Sequence, residues 1–297
     1  MKEKQAREIL EQQGCRILDR LMPRESYGDL DPGEETGVLV LLDTETTGLH
    51  VDRDEVIQLA MIKLTYGKAS GRLGRVIDVF DRFREPAVPI SPEITALTGI
   101  TDAMVAGQKI DEQEVSIFLR DAALIIAHNA AFDRPFAEKH WPIFDSLGWA
   151  CSYSEVDWRA EGFEGSKLAY LLMKIGLWHE GHRALDDVWA LAEILSRPLL
   201  RSSQQALEAL LTHARRRVFR VWAVDAPFES RLLLKGRGYR WSSGEQGTPR
   251  AWHREVPGEE LDAEQAFLVA ECLTPRSSLR VVPLPPRNRF SARALMG

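Results

Sequence analysis

Five consecutive apolar residues, Val38-Leu39-Val40-Leu41-Leu42, run directly into Asp43-Thr44-Glu45. An unbroken run of that kind is the pattern of a strand covered on both faces, which predicts a strand at the centre of a sheet. Alternation along the strand sends Asp43 and Glu45 out of one face at its C-terminal end. Hard oxygen ligands in that arrangement suit Mg2+ or Mn2+. A DxE at a solvated strand end is nevertheless common, and the pair on its own is weak evidence for a metal.

The surrounding pattern gives that strand neighbours. Residues 56–65 and 75–84 read as two strands joined by a glycine-containing turn between Gly67 and Gly74, a hairpin beside the first strand. A turn-rich stretch from Pro89 to Thr101 contains a short helix starting near Pro92. Helical spacing returns at 111–121, followed by a short apolar strand Leu124 to Ala127 and a helix over 130–140. A further strand is expected at 149–152, with helices at 166–176, 184–196 and 203–217. The sum is α/β with a mixed sheet.

Outside this region the pattern changes. Residues 2–22 read as an amphipathic helix weakened at Gly14, and Pro23 to Gly37 as a linker. After Arg217 come short strands at Val218 to Val224, Tyr239 to Trp241 and Ala251 to Val256, with helices near 228–236 and 262–272. From Thr274 the prolines at 275, 283, 285 and 286 predict an irregular tail. The expected organisation is therefore 1–36 helix and linker, 37–217 main domain, 218–273 small α+β domain and 274–297 tail.

Composition narrows the class. With 44% hydrophobic and 28% charged residues the chain is an ordinary globular one, not a disordered or fibrous one. No apolar run approaches the ~20 residues of a membrane span, and Met1 to Leu10 has no apolar segment of an export signal, so no membrane partner and a cytoplasmic location are expected. Cys15, Cys151 and Cys272 lack CxxC spacing, against both a disulfide framework and a zinc site. The net charge of −6 is uneven: Arg215 to Gly297 holds 15 Lys and Arg against 9 Asp and Glu. A basic segment that holds phosphate backbone and simple compositional drift both account for that split.

Two further motifs change the weight of Asp43 and Glu45. His128-Asn129-Ala130-Ala131-Phe132-Asp133 runs from strand into helix, and Gly181-His182-Arg183-Ala184-Leu185-Asp186-Asp187 places a histidine just before another helix. Singly, Asn129 can be a helix cap, Asp133, Asp186 and Asp187 first-turn acids, and His182 a surface histidine. Together they form an ordered signature of low chance occurrence. Leu42 to Leu49, Asn129 to Asp133 and His182 to Asp187, with the connecting Pro92 to Thr101, resemble the DnaQ-like, DEDDh branch of 3′→5′ exonucleases over about residues 38–200.

The resemblance implies a ribonuclease H-like fold: a mixed five-stranded sheet with helices on both faces. It assigns Asp43, Glu45, Asp133 and Asp187 to two divalent cations, Mg2+ or Mn2+, and His182 to the general base, with Asp186 second choice to Asp187. Two-metal hydrolysis needs such carboxylates, and a histidine with an unperturbed pKa of about 6.5 is suited to take the proton. The resemblance also sets Thr44, Thr46, Thr47, Gly48, Leu49, His128, Asn129 and Phe132 against the terminal nucleotide. Core packing is an equal account of Leu49 and Phe132.

The expected activity is release of nucleoside 5′-monophosphates from the 3′ end of DNA, as in the DNA polymerase III epsilon type. Unstacking costs about 1.4 kcal/mol per step, so single-stranded or frayed ends are preferred. An RNA-trimming enzyme of the same fold differs only in how the 2′-OH is received. A non-catalytic polymerase-associated binding module is disfavoured, because every expected ligand and the base are present. A polymerase or repair partner would engage the N-terminal helix or the C-terminal unit. No clamp-binding peptide is recognisable, which favours repair or turnover over a proofreading subunit. In the C-terminal unit, Arg237-Gly238-Tyr239-Arg240-Trp241 and Arg250-Ala251-Trp252-His253-Arg254 read as a hairpin that either stacks bases and tracks phosphates or uses its tryptophans as a small core.

Overall fold

The computed structural model describes residues 2–244, 248–291 and 293–296. It divides into two compact units, residues 1–211 and 212–297. No described helix is long and apolar enough to cross a membrane.

The first unit opens with α1 (Lys2–Gln12), shorter than the helix expected over 2–22. Gly14 takes a left-handed φ of 82°. Its N–H donates to the Glu11 carbonyl, and that of Cys15 reaches back to Leu10. This is the paired closure that ends helices at glycine. Ile17, Leu18 and Leu21 thus lie beyond the helix, and β1 (Asp19–Arg20) pairs in parallel with β7 (Leu177–Trp178).

The apolar run lies in β2 (Thr36–Thr46), where Leu39 to Leu42 are fully buried. It sits mid-sheet in the order β4-β3-β2-β5-β6. β3 (Val56–Gly67) and β4 (Leu73–Phe83) form the antiparallel hairpin on one side. β5 (Leu124–Ala127) and β6 (Trp149–Cys151) run parallel to β2 on the other. α2 (Pro92–Thr98), α3 (Asp102–Val105) and α4 (Glu112–Leu119) lie between β4 and β5 in sequence. α5 (Ala130–His140) joins β5 to β6, as a parallel pair requires. α6 (Ser152–Glu155), α7 (Leu168–Lys174), α8 (Ala184–Leu195) and α9 (Ala206–Ala214) follow.

Strand register fixes which face each helix covers. Lys63 stands opposite Val40, and its ammonium lies 4.9 Å from the Phe118 ring of α4. Gln58 stands opposite Glu45 on the other face, and its Oε1 accepts the Ala184 N–H at the start of α8 at 3.3 Å. Helices therefore flank both faces, and α8 begins over the face that carries Asp43 and Glu45.

The second unit is a four-stranded sheet, β11-β8-β10-β9. β8 (Val218–Ala223) pairs with β10 (Trp252–Pro257), which pairs with β9 (Arg240–Trp241). α10 (Arg231–Gly236) and α11 (Leu261–Ala270) contribute Leu234 and Leu268 to a core with Val221, Tyr239 and Val256. The irregular tail expected from Thr274 is corrected: Leu279–Pro283 forms β11 against β8, and Arg293–Met296 forms α12. The prolines mislead because β11 is an edge strand whose proline stands at its end, where a missing N–H breaks no ladder.

Candidate active site

The three sequence motifs meet where β2 ends. One carboxylate oxygen from each of Asp43, Glu45 and Asp187 lies within 4.8 Å of the others. Asp187, rather than its neighbour Asp186, belongs to this group. Asp133, almost fully buried on α5, stands close enough to act electrostatically on both Asp43 and Glu45. Its Oδ1 is turned to β2, accepting the Thr44 N–H at 3.0 Å and the Thr44 hydroxyl at 2.8 Å.

In so little space Asp43, Glu45 and Asp133 resist ionisation. Desolvation, then Asp133, Asp187 and Glu45, hold Asp43 well above the usual carboxylate range. Glu45 is pushed up to about 8, first by desolvation and then by Asp187 and Asp133, with Arg183 pulling the other way. Desolvation raises Asp133 to about 7 against the lowering effect of its Thr44 hydrogen bonds. The group is one in which each charge penalises the next.

Asp187 is held by the loop before α8. Its Oδ2 accepts the His182 N–H at 2.9 Å and the Arg183 N–H at 3.3 Å. Its Oδ1 lies 2.7 Å from Nε2 of His179, a buried ring. His182 is exposed, in a left-handed conformation with φ 64°. The motif spacing thus finds His182 but misses His179, the histidine that touches Asp187. It also misses Gln58, 1% exposed, which bonds Asp81 and the first turn of α8 and so anchors the helix that carries Asp187.

The residues expected against substrate divide into scaffold and surface. Thr44 holds Asp133, the Thr46 hydroxyl donates to the Gly48 carbonyl at 2.6 Å, and Thr47 Oγ1 accepts the Glu55 N–H. A Cβ at Gly48 would stand 2.4 Å from the Asp54 carboxylate, which would have to move from its bond with the His50 N–H. That tight loop presents Leu49 78% exposed, outside any core. Phe132 is half-buried against Phe136, with ring centroids 5.1 Å apart. Asn129 is exposed at φ 83° and makes no side-chain cap bond. Both His128 nitrogens are engaged, by the Ser152 hydroxyl at 2.7 Å and the Ser166 carbonyl at 2.8 Å. Burial lowers that ring's pKa to about 4, which keeps it neutral.

With this geometry in place, the family can be read. The model of the RNase_T exonuclease family matches residues 40–195, from the central strand to the end of α8. The chain belongs to the RNase_T exonuclease family. It is DnaQ-like, with the ribonuclease H-like sheet described above. The exonuclease domain is 33% identical over 173 residues to a DNA polymerase III PolC-type of Caldanaerobacter subterraneus subsp. tengcongensis, covering 55% of this chain and 12% of that protein. A DNA polymerase III PolC-type of Clostridium perfringens is 33% identical over 168 residues, 52% of this chain and 11% of that one. The match thus spans only about an eighth of the length of these curated relatives. The crystal structure of E. coli Exonuclease I in complex with a dA16 oligonucleotide superposes with a TM-score of 0.50 at 14% identity, covering 82% of this chain and 72% of that one, a likeness of fold.

Proposed function

We propose that this exonuclease domain hydrolyses phosphodiester bonds one at a time from the 3′ end of single-stranded or frayed DNA in the cytoplasm, releasing nucleoside 5′-monophosphates. One observation carries the reading: carboxylates from three separate segments converge at one strand end, and Asp43, Glu45 and Asp133 are disfavoured in their ionised form there. A fold keeps such a cluster when its counter-charge arrives with a ligand. The donor set, carboxylate oxygens alone, fits Mg2+ or Mn2+. Asp43, Glu45, Asp133 and Asp187 would hold two such ions. Bound there, they supply positive charge against the phosphate oxygens and acidify water.

The chain's own residues supply the rest. His182, exposed, with its backbone N–H on Asp187 and no hydrogen bond to its ring among the described residues, would accept the proton of the attacking water. His179 keeps the Asp187 carboxylate turned into the cluster. Leu49 would part the last base from its neighbour, with Thr44, Thr46, Thr47 and Gly48 against the terminal nucleotide, and His128, Asn129 and Phe132 would line the same pocket. A polymerase partner, suggested by the PolC-type relatives, or a repair partner would engage α1 or the C-terminal unit.

The test is a digestion. The full chain with Mg2+ should shorten 5′-labelled single-stranded DNA from its 3′ end to mononucleotides, faster than blunt duplex or RNA, and stop in EDTA. Equal rates on blunt duplex and single strand would remove the preference. Intact substrate in every lane would remove the function.

A further inference from the structure

The arginines and aromatics of the β9–β10 hairpin sort into two sets. One set is internal. The Glu264 carboxylate, 1% exposed, accepts from Arg237 at 2.9 and 3.0 Å, from Arg254 at 3.3 Å and from the buried Tyr239 hydroxyl at 2.9 Å. Trp252 packs on the core of Val221, Leu234 and Leu268. The other set faces outward. Trp241, on edge strand β9, is 51% exposed and meets Trp252 edge-on at 5.6 Å. Arg250, two residues before Trp252, is exposed, and its side chain makes no hydrogen bond or ion pair among the described residues. Arg240 is exposed too, but as the strand neighbour of Trp241 it belongs to the other face, opposite His253.

We infer that Trp241 and Arg250 form a second nucleic-acid contact, a stacking and phosphate site for single-stranded DNA on the C-terminal unit. An indole held half out of the surface by a second indole is a rigid platform for a base, and stacking of this kind tolerates any sequence. An arginine whose side chain has no protein partner is available to a phosphate, whereas those on Glu264 are not. Charge agrees: residues 212–297 hold 15 Lys and Arg against 9 Asp and Glu, opposite in sign to the rest of the chain. A polyanion with planar bases matches all three features. The inference builds on the proposed function in taking single-stranded DNA as the ligand, but not on catalysis.

Binding of fluorescein-labelled dT30 to the full chain in EDTA, followed by anisotropy over a salt series, tests it without hydrolysis. Trp241→Ala should weaken binding about 5- to 10-fold, the lower range for one stacked base, and Trp241→Phe should restore most of it. Arg250→Ala should reduce the salt slope by about 0.7, one phosphate on a single strand. Circular-dichroism melts confirm that each variant is folded. Unchanged dT30 affinity in folded Trp241→Ala, or an unchanged salt slope in Arg250→Ala, overturns the site. A chain that degrades nothing but still loses dT30 through Trp241 would refute the nuclease and keep this contact. A nuclease indifferent to Trp241 would do the reverse.

Discussion

The protein buries carboxylates in two centres that are built in opposite ways. In the C-terminal unit, Glu264 is enclosed by two arginines and a tyrosine hydroxyl, so its charge is matched from within the chain. At the end of β2, Asp43, Glu45, Asp133 and Asp187 gather with Arg183 tempering Glu45 and His179 meeting Asp187, and Asp43, Glu45 and Asp133 are driven toward their protonated forms. Protein cations answer a buried charge where the role is structural. Where the site leaves the charge unanswered, the fold carries a cost that a proton or a bound cation relieves.

The largest effect that separates the two centres is on turnover. Asp43→Ala or Asp187→Ala should nearly abolish release of mononucleotides from end-labelled single-stranded DNA while the circular-dichroism spectrum stays that of the parent. Wild-type rates in Asp43→Ala would end the assignment. His182→Ala should cut the rate by about 10²- to 10⁴-fold, as loss of a general base does; a rate within twofold of the parent would move that role elsewhere.

Stability should respond with opposite signs. Glu264→Ala should cost about 3 kcal/mol, the low end for breaking a buried pair, because Arg237 and Arg254 keep part of their access to water. Asp43→Asn in EDTA should instead raise the melting temperature, since it removes a carboxyl that folding desolvates and holds well above its ordinary range. Equal losses from both substitutions in urea titrations would erase the contrast.

The smallest effect is a slope. Glu45 and Asp133 have folded pKa values raised to about 8 and about 7, so the folded state holds protons that the unfolded chain has released. Their contribution is full at low pH and is lost as pH rises through those values. The neutral histidines His128, His140 and His253, each lowered to about 4, act in the opposite sense at lower pH. Between pH 6.5 and 8 the carboxylates dominate. Melting temperature in EDTA should fall over that interval, and Mg2+ should flatten the fall. A flat profile without metal would mean that the cluster ionises freely.

Much of this was legible in the residues because the strongest signals are local. The run Val38 to Leu42 names the central strand through its missing polar face, and its buried place in β2 follows. The helices expected from near Pro92 and over 111–121 form as α2 and α4, where Ser91 and Asp111 turn out to cap them. What escaped reading depends on distant partners. His179 has no meaning until α8 brings Asp187 to it, and Gln58 looks like an ordinary strand residue until Ala184 donates to it. Trp241 and Trp252 are alike in sequence, and only the position of β9 at a sheet edge leaves one outside. Residues 279–283 read as tail because their partner strand lies far back in the chain.

That last pairing has a consequence in time. β8 takes β11 as its outer neighbour, and about 55 residues separate them. At a synthesis rate of 5–20 residues per second, roughly 3–11 s pass before that neighbour exists. During the wait the ribosome displays β8 with an unpaired, apolar edge, after every strand of the catalytic sheet has already emerged. The C-terminal unit is therefore where a nascent chain of this protein is most exposed to wrong partners.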